Sequence, residues 1–225
     1  MLYRDRITAD MLLEPQEISE DYIASSRSII LSGTALAASP SRDACFKILE
    51  LARKHDLLII FDVDYRAPIW RDQEEVSIYY TMAARNAHII IGSREEFDLM
   101  DSVFYKDMDD EQTAERWFKE NAELIIIKHG KEGSMAYEKN GKRYKIEIAS
   151  TNAVKSTGGG DAYSSAFVYG ILKGMEVKRC LEMATVSASL AVACNNCSDA
   201  MADLETLEAA RIQAIEDNSE LVKEF

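Results

Sequence analysis

The chain has 225 residues, enough for one well-packed domain or one domain with a small appendage. Apolar residues make up 47% and prolines number only three, which excludes wholesale disorder. Twenty-six basic against 39 acidic side chains leave a net charge of −13, which excludes nucleic acid or an anionic membrane surface as the main partner.

The first ten residues, MLYRDRITAD, carry charges with no apolar stretch behind them, so they do not read as a signal peptide. The longest apolar runs, LLIIF and HIII, fall far short of a membrane span. Cys45, Cys180, Cys194 and Cys197 lack disulfide-framework spacing and nearby histidines, and the expected setting is the reduced cytoplasm. The pair in CNNC has redox spacing but follows the alanine-rich run ATVSASLAVA, where a reactive thiol motif would open a helix after a strand. The four cysteines are read as structural.

From residue 28 the sequence alternates. SIILSG predicts a short buried strand, and SPSRDACFKILELARKH a helix with Cys45, Ile48, Leu49, Leu51 and Ala52 at helical spacing. LLIIFDVD predicts a strand, DQEEVSIYYTMAARNA a helix, and HIIIGS a strand. REEFDLM and DEQTAERWFKEN predict helices, and ELIIIKHG a strand. Strands that are continuous Leu/Ile runs between helix-length segments imply parallel strands covered on both faces. SMAYEKNGKRYKIEIAS then gives two strand-like runs around Asn-Gly, a hairpin signal. Helices at 160–174 and 177–194 and the acidic amphipathic segment LETLEAARIQAIED complete the pattern. No repeat, linker or boundary is visible, so residues 1–225 are expected to form a single α/β domain.

STGGGD, residues 156–161, lies between the hairpin and a helix. The N–H groups opening a helix have no carbonyl to bond, and with the helix field they make an anion site that glycines leave open. Asp161 falls in the first turn, where it could accept a proton from an attacking hydroxyl beside a bound phosphate. A plain glycine turn with a dipole-favoured aspartate explains the same spacing equally well. The stretch is neither a Walker A loop nor a G-x-G-x-x-G dinucleotide motif.

VKSTGGGDAYSSAFVYGILKG resembles the C-terminal signature of the ribokinase-like carbohydrate kinases, the PfkB family, whose usual form is T-x-G-A-G-D before a small-residue helix. SEDYIASSRSIILSGTALAASPSR, FDVDYRAPIW, IGSREEFDLM and CSDAM extend the resemblance over most of the chain, closest to the members acting on a keto-deoxy sugar acid of inositol breakdown. The resemblance implies a three-layer, Rossmann-type sandwich with a mostly parallel sheet, followed by a C-terminal hairpin and helices. It implies ATP as co-substrate, Mg2+, and transfer to the primary hydroxyl of a sugar acid. Gly158, Gly159 and Gly160 would form the anion hole and Asp161 the catalytic base. Lys128, Gly130, Lys131 and Gly133 of KHGKEG, with Thr185, would lie on the nucleotide side, although a hairpin-entry turn accounts for the lysines and glycines as well. Glu95 is carried as the residue organising the Mg2+ region, with Gly92 where the family often has asparagine; a plain helix-start glutamate is its alternative. Arg66, with Asp64 at the end of the DVDYR strand, could hold a substrate carboxylate, or could pair with one of those aspartates.

Three departures qualify this. Gly159 stands where alanine is usual, which keeps the donor but loosens the loop. Lys155 stands where relatives have an aspartate beside a monovalent cation, and its ammonium is expected to replace that ion. No counterpart of the family's N-terminal sugar-binding and lid region is recognised, so the chain is expected to be N-terminally truncated and to cover its sheet edge as a homo-oligomer. Two readings stay open: a working kinase, and a weak or inactive remnant that binds nucleotide or serves as an oligomeric module.

Overall fold

A computed structural model describes residues 8–149, 152–155, 157–195 and 201–225. The N-terminal residues 1–7, Ser156 of the glycine motif, and Cys197 with the start of CSDAM lie outside the described residues. The chain packs as two compact units, Met1–Lys128 with Tyr137–Gly141, and His129–Ala136 with Lys142–Phe225. The sequence shows no boundary here because the division falls at the end of one strand and inside the next, not in a linker.

The first unit opens with a short helix α1 (Glu20–Ala24) and then alternates β1 (Ser28–Ser32), α2 (Ser41–Lys54), β2 (Leu58–Asp62), α3 (Gln73–Ala84), β3 (Ile89–Ser93), α4 (Arg94–Asp101), α5 (Asp110–Phe118) and β4 (Leu124–Lys128). All four strands are parallel neighbours in chain order. β3 and β4 are buried without alternation of exposure, as the Ile/Leu runs require of strands with helices against both faces. Each buried isoleucine of these runs contributes about 2 kcal/mol by leaving water. Phe61, Tyr80, Phe97 and Trp117 fill the same core.

Helix starts follow local chemistry. Asp72 accepts the Glu75 N–H ahead of α3, and Ser93–Glu96 and Asp109–Gln112 form reciprocal capping boxes on α4 and α5. α3 and α5 end short of the predicted limits, in hydrogen-bonded turns at Ala87 and Glu120. β4 stops at Lys128, short of the predicted His129 and Gly130.

The second unit contains β6 (Arg143–Ile146), α6 (Gly159–Leu172), α7 (Val177–Val192), α8 (Leu204–Asp217) and β7 (Val222–Glu224). β5 (Ser134–Glu138) begins in this unit and ends in the first, and the Asn-Gly turn, with Gly141 at φ +102°, leads from it to β6. Along the sheet the seven strands follow one another in sequence order, with β7 antiparallel to β6. β7 was not predicted, because three residues with only Val222 buried carry no strand pattern. α6 packs its small residues against α7; a Cβ added at Gly170 would stand 2.6 Å from Cys180 Sγ. Burial pushes the Cys45 and Cys180 thiols up to about 11, which suits packing and not nucleophilic chemistry. Cys194 is exposed. No helix among the described residues is long and apolar enough to cross a membrane.

Candidate functional site

In the first unit the parallel strands end in a row of polar side chains. Ser32 lies opposite Asp62 in the β1–β2 register, and Ser93 opposite Lys128 in the β3–β4 register. The carboxyl ends of such strands are where α/β sheets receive ligands. Lys128 Nζ stands 3.9 Å from Asp62 Oδ1.

Beyond β2 the chain turns through Asp64, which adopts φ +38°, a conformation few non-glycine residues take. The end of β1 and the first turn of α4 hold this turn. Ser32 Oγ donates to Asp64 Oδ2 at 3.1 Å, and Glu96 Oε1 accepts the Tyr65 N–H at 2.8 Å. Arg66 pairs with Asp64 at 2.5 Å and donates to the Tyr65 carbonyl. The two substrate-side candidates are therefore brought together, in the paired arrangement that the sequence left as an alternative. Fully buried Tyr80 sits behind the turn, and its phenol is pushed far up, by burial first and then by the charges of Glu96 and Asp64.

Glu95 is exposed at the start of α4. Its neighbour Glu96 turns inward and accepts both the Ser93 and Tyr65 N–H groups. The sequence offered a signal for this that the reading missed. Ser93 followed three residues later by Glu96 is a capping box, which fixes the helix start and turns Glu96 back toward the strand end.

In the second unit, KHGKEG becomes a tight loop. His129 N–H bonds the Gly133 carbonyl at 2.8 Å around a short 3-10 turn over Gly130–Glu132. Gly133 is obligatory there, since a Cβ would stand 2.0 Å from the Ile146 carbonyl oxygen. Lys131 is exposed on the loop.

The glycine motif opens α6 as predicted, one residue earlier. Gly158 takes φ +87° and ψ −11°, a left-handed position that only glycine occupies without strain. The first helical bond runs from the Ala162 N–H to the Gly158 carbonyl, so the N–H groups of Gly158, Gly159, Gly160 and Asp161 precede the helix ladder. Gly158 brings no side chain to cap them, and a Cβ there would meet nothing within 4 Å. Asp161 is exposed in the first turn.

Thr185 is buried on α7 and its hydroxyl donates to the Glu147 carbonyl at 2.9 Å. The hydroxyl therefore ties α7 to the chain leaving β6. Beside it lies a cavity of about 360 Å³ walled by Ile148, Ala149, Val186, Ser189 and Leu190, with Gln213, Asp217 and Asn218 among its polar lining. Sequence reading missed it, because its walls come from three separate segments. A larger hollow of about 630 Å³ lies over α4 and the loop to α5, around Arg94, Asp101 and Tyr105, and contains none of the predicted site residues.

Comparison with known proteins bears on this geometry. The family model for pfkB family carbohydrate kinases matches residues 1–204. Over 202 residues the chain is 46% identical to 5-dehydro-2-deoxygluconokinase of Bacillus anthracis, an alignment covering 89% of this chain and 60% of that protein. Over 211 residues it is 47% identical to 5-dehydro-2-deoxygluconokinase of Clostridium perfringens (strain 13 / Type A), covering 94% and 61%. The chain thus spans about three-fifths of the length of these curated relatives. Among solved structures, a ribokinase II from E. coli in complex with ATP and Mg2+ superposes with a TM-score of 0.79 at 21% identity, covering 89% of this chain and 63% of that one. Fructokinase with bound ATP from Xylella fastidiosa superposes with a TM-score of 0.80 at 16% identity, covering 94% and 68%. These structural likenesses establish a ribokinase-like fold, and with the match over residues 1–204 the chain belongs to the PfkB family of carbohydrate kinases.

Proposed function

We propose that the chain transfers the γ-phosphoryl group of ATP to the primary hydroxyl of a small sugar acid, with 5-dehydro-2-deoxygluconate of inositol catabolism as the preferred acceptor. The observation that carries the reading is the glycine turn: N–H groups that precede the ladder of α6 behind an N-cap, Gly158, that has no side chain, followed at once by the exposed carboxylate of Asp161. Gly158, Gly159 and Gly160 would hold the transferred phosphoryl, and Asp161 would take the proton of the attacking hydroxyl. Arg66, oriented by Asp64, would meet the acceptor's carboxylate through a bidentate pair. Lys128, Gly130, Lys131 and Gly133 would face the nucleotide phosphates, and the cavity beside Thr185 would take the base.

Among the described residues no group of three or more His, Cys, Asp and Glu side chains forms a metal cage. Mg2+ would arrive on the nucleotide, where it keeps waters and phosphate oxygens as ligands. Glu95, exposed and unburdened by the capping bonds that engage Glu96, is the carboxylate available to its water shell. When bound, the ion would supply charge neutralisation on the phosphates.

The reading sets the reaction in the cytoplasm and includes self-association. Ile30 on edge strand β1 is 54% exposed, an apolar edge of the kind a second copy covers. The test is to incubate the chain with MgATP and 5-dehydro-2-deoxygluconate beside related sugar acids, and to weigh the products by mass spectrometry. One added phosphoryl group on the acid supports the reading. Unchanged acids across the panel would refute it in favour of a weak or inactive remnant that retains nucleotide or anion binding and acts as an oligomeric module.

A further inference from the structure

Val192 is the last residue of α7, so its carbonyl has no donor inside its own helix. That carbonyl accepts the Val154 N–H at 2.9 Å and the Lys155 N–H at 3.3 Å, which fixes the segment leading into the glycine turn. The side chain of the same residue reaches the other end of that segment. A Cβ added at Gly159 would stand 2.9 Å from Val192 Cγ1, closer than such atoms are found to approach. A β-branched side chain in a helix has one strongly preferred χ1 rotamer, so the methyl cannot readily swing clear. The next atom that Cβ would meet is the Ala188 carbonyl oxygen at 3.9 Å, which is ordinary contact. One residue therefore sets both where the turn begins and how closely its first helical residue approaches α7.

We propose that Val192 is a positioning residue for the glycine turn, and that Gly159 and Val192 form a matched pair which sets the direction of the Gly159 and Gly160 N–H groups. The proposal rests on the reading of the turn as the phosphoryl site. The absence of a side chain at Gly159 is then a packing requirement imposed by Val192, and the turn is held more firmly than three successive glycines suggest. The same helix pair supplies an internal control. Gly170 faces Cys180 as closely, with 2.6 Å from an added Cβ to Sγ, but lies about three turns from the glycine motif, where only packing is at stake.

The experiment compares Gly159→Ala, Val192→Ala, the double variant and Gly170→Ala, measuring acceptor-dependent ADP release and the melting temperature of each. Gly159→Ala is expected to lower kcat at least tenfold with the KM for the sugar acid little changed, because the donors turn away from the developing charge. The double variant is expected to recover most of that loss, since the new methyl then occupies the space vacated by the valine. Val192→Ala alone is expected to lower kcat several-fold. Gly170→Ala is expected to lower the melting temperature with kcat unchanged. With an active wild-type chain, a Gly159→Ala variant of unaltered kcat, or a double variant no better than Gly159→Ala, overturns the proposal. Recovery of melting temperature without recovery of kcat also overturns it, because the pair would then be packing alone. A wild-type chain without acceptor-dependent release instead refutes the phosphoryl-site reading on which the proposal rests.

Discussion

The rim of the first unit and the glycine turn of the second are built on opposite principles. At the rim, side chains are plentiful and already engaged with one another: Ser32 with Asp64, Asp64 with Arg66, and Glu96 with two backbone N–H groups. At the turn three successive glycines bring no side chains, and their N–H groups precede the ladder of α6. A ligand reaching the rim must compete for groups that already have partners, which favours discrimination between ligands over strength of binding. An anion reaching the turn meets donors fixed by the helix itself and needs little reorganisation there. The difference is the one the proposed reading asks for, in which the turn would serve the phosphoryl group and the rim would choose the acceptor.

The largest effect should come from the turn. Asp161→Asn is expected to lower acceptor-dependent ADP release by a factor of about 10²–10⁴ while leaving the melting temperature unchanged, since the side chain is exposed. Activity within tenfold of wild type would remove the chemical half of the comparison. A smaller effect is expected at the rim. Arg66→Lys keeps the charge but loses the planar fork, so the KM for the sugar acid should rise by about tenfold while that for ATP stays put. Equal changes in both constants would mean that the rim does not select the acceptor.

Much of the first unit was legible because its strands are continuous Ile/Leu runs and its helices carry their own start signals. The Ile/Leu runs placed the strands and ended β3 at Ser93 as predicted, but overran β2, which stops at Asp62 and not Asp64, and β4, which stops at Lys128. The glycine cluster was legible as the opening of a helix, whereas the left-handed conformation of Gly158 is a finding of the structure. What escaped depended on partners distant in sequence. Val192 is 33 positions from Gly159, and the cavity beside Thr185 draws on residues from Ile148 to Leu221. Arg66 was visible as a candidate, with pairing to one of the DVDYR aspartates as its alternative, whereas the positive φ of Asp64 has no local signal. The unexpected inward turn of Glu96 has a different cause, since its capping box was present and local.

A third effect lies in stability and separates the hollow near α4 from both sites. Asp101 is 1% exposed against Arg116, and burial pushes its carboxyl up from 3.8 to about 6, opposed by the Arg116 charge. Burial likewise lowers the Arg116 guanidinium, opposed by the Asp101 charge. A carboxyl raised on folding binds its proton more tightly in the folded state, so its contribution to stability is fully present below the unfolded value. That contribution is lost as pH rises through about 6. Chemical denaturation between pH 4 and pH 7 should therefore show a declining component, about 1.4 kcal/mol per unit at its steepest, that is absent in Asp101→Asn. An identical pH profile in that variant would show that Asp101 is not the group responsible. The smallest expected effect is none at all. The resemblance implies that the Lys155 ammonium replaces a monovalent cation; on that expectation, exchanging potassium for a large organic cation at constant ionic strength should leave turnover unchanged, and strong potassium activation would contradict it.

The central claim is that the backbone donors of the glycine turn receive the phosphates of the nucleotide. The chain has only ten glycines, so a sample labelled with 15N-glycine gives a spectrum sparse enough to follow each amide. On titration with Mg2+ and a non-hydrolysable ATP analogue, the account predicts large downfield amide proton shifts at Gly158, Gly159 and Gly160, with Gly170 and Gly174 unmoved. Saturable binding of the analogue that leaves those three amides where they were would contradict it.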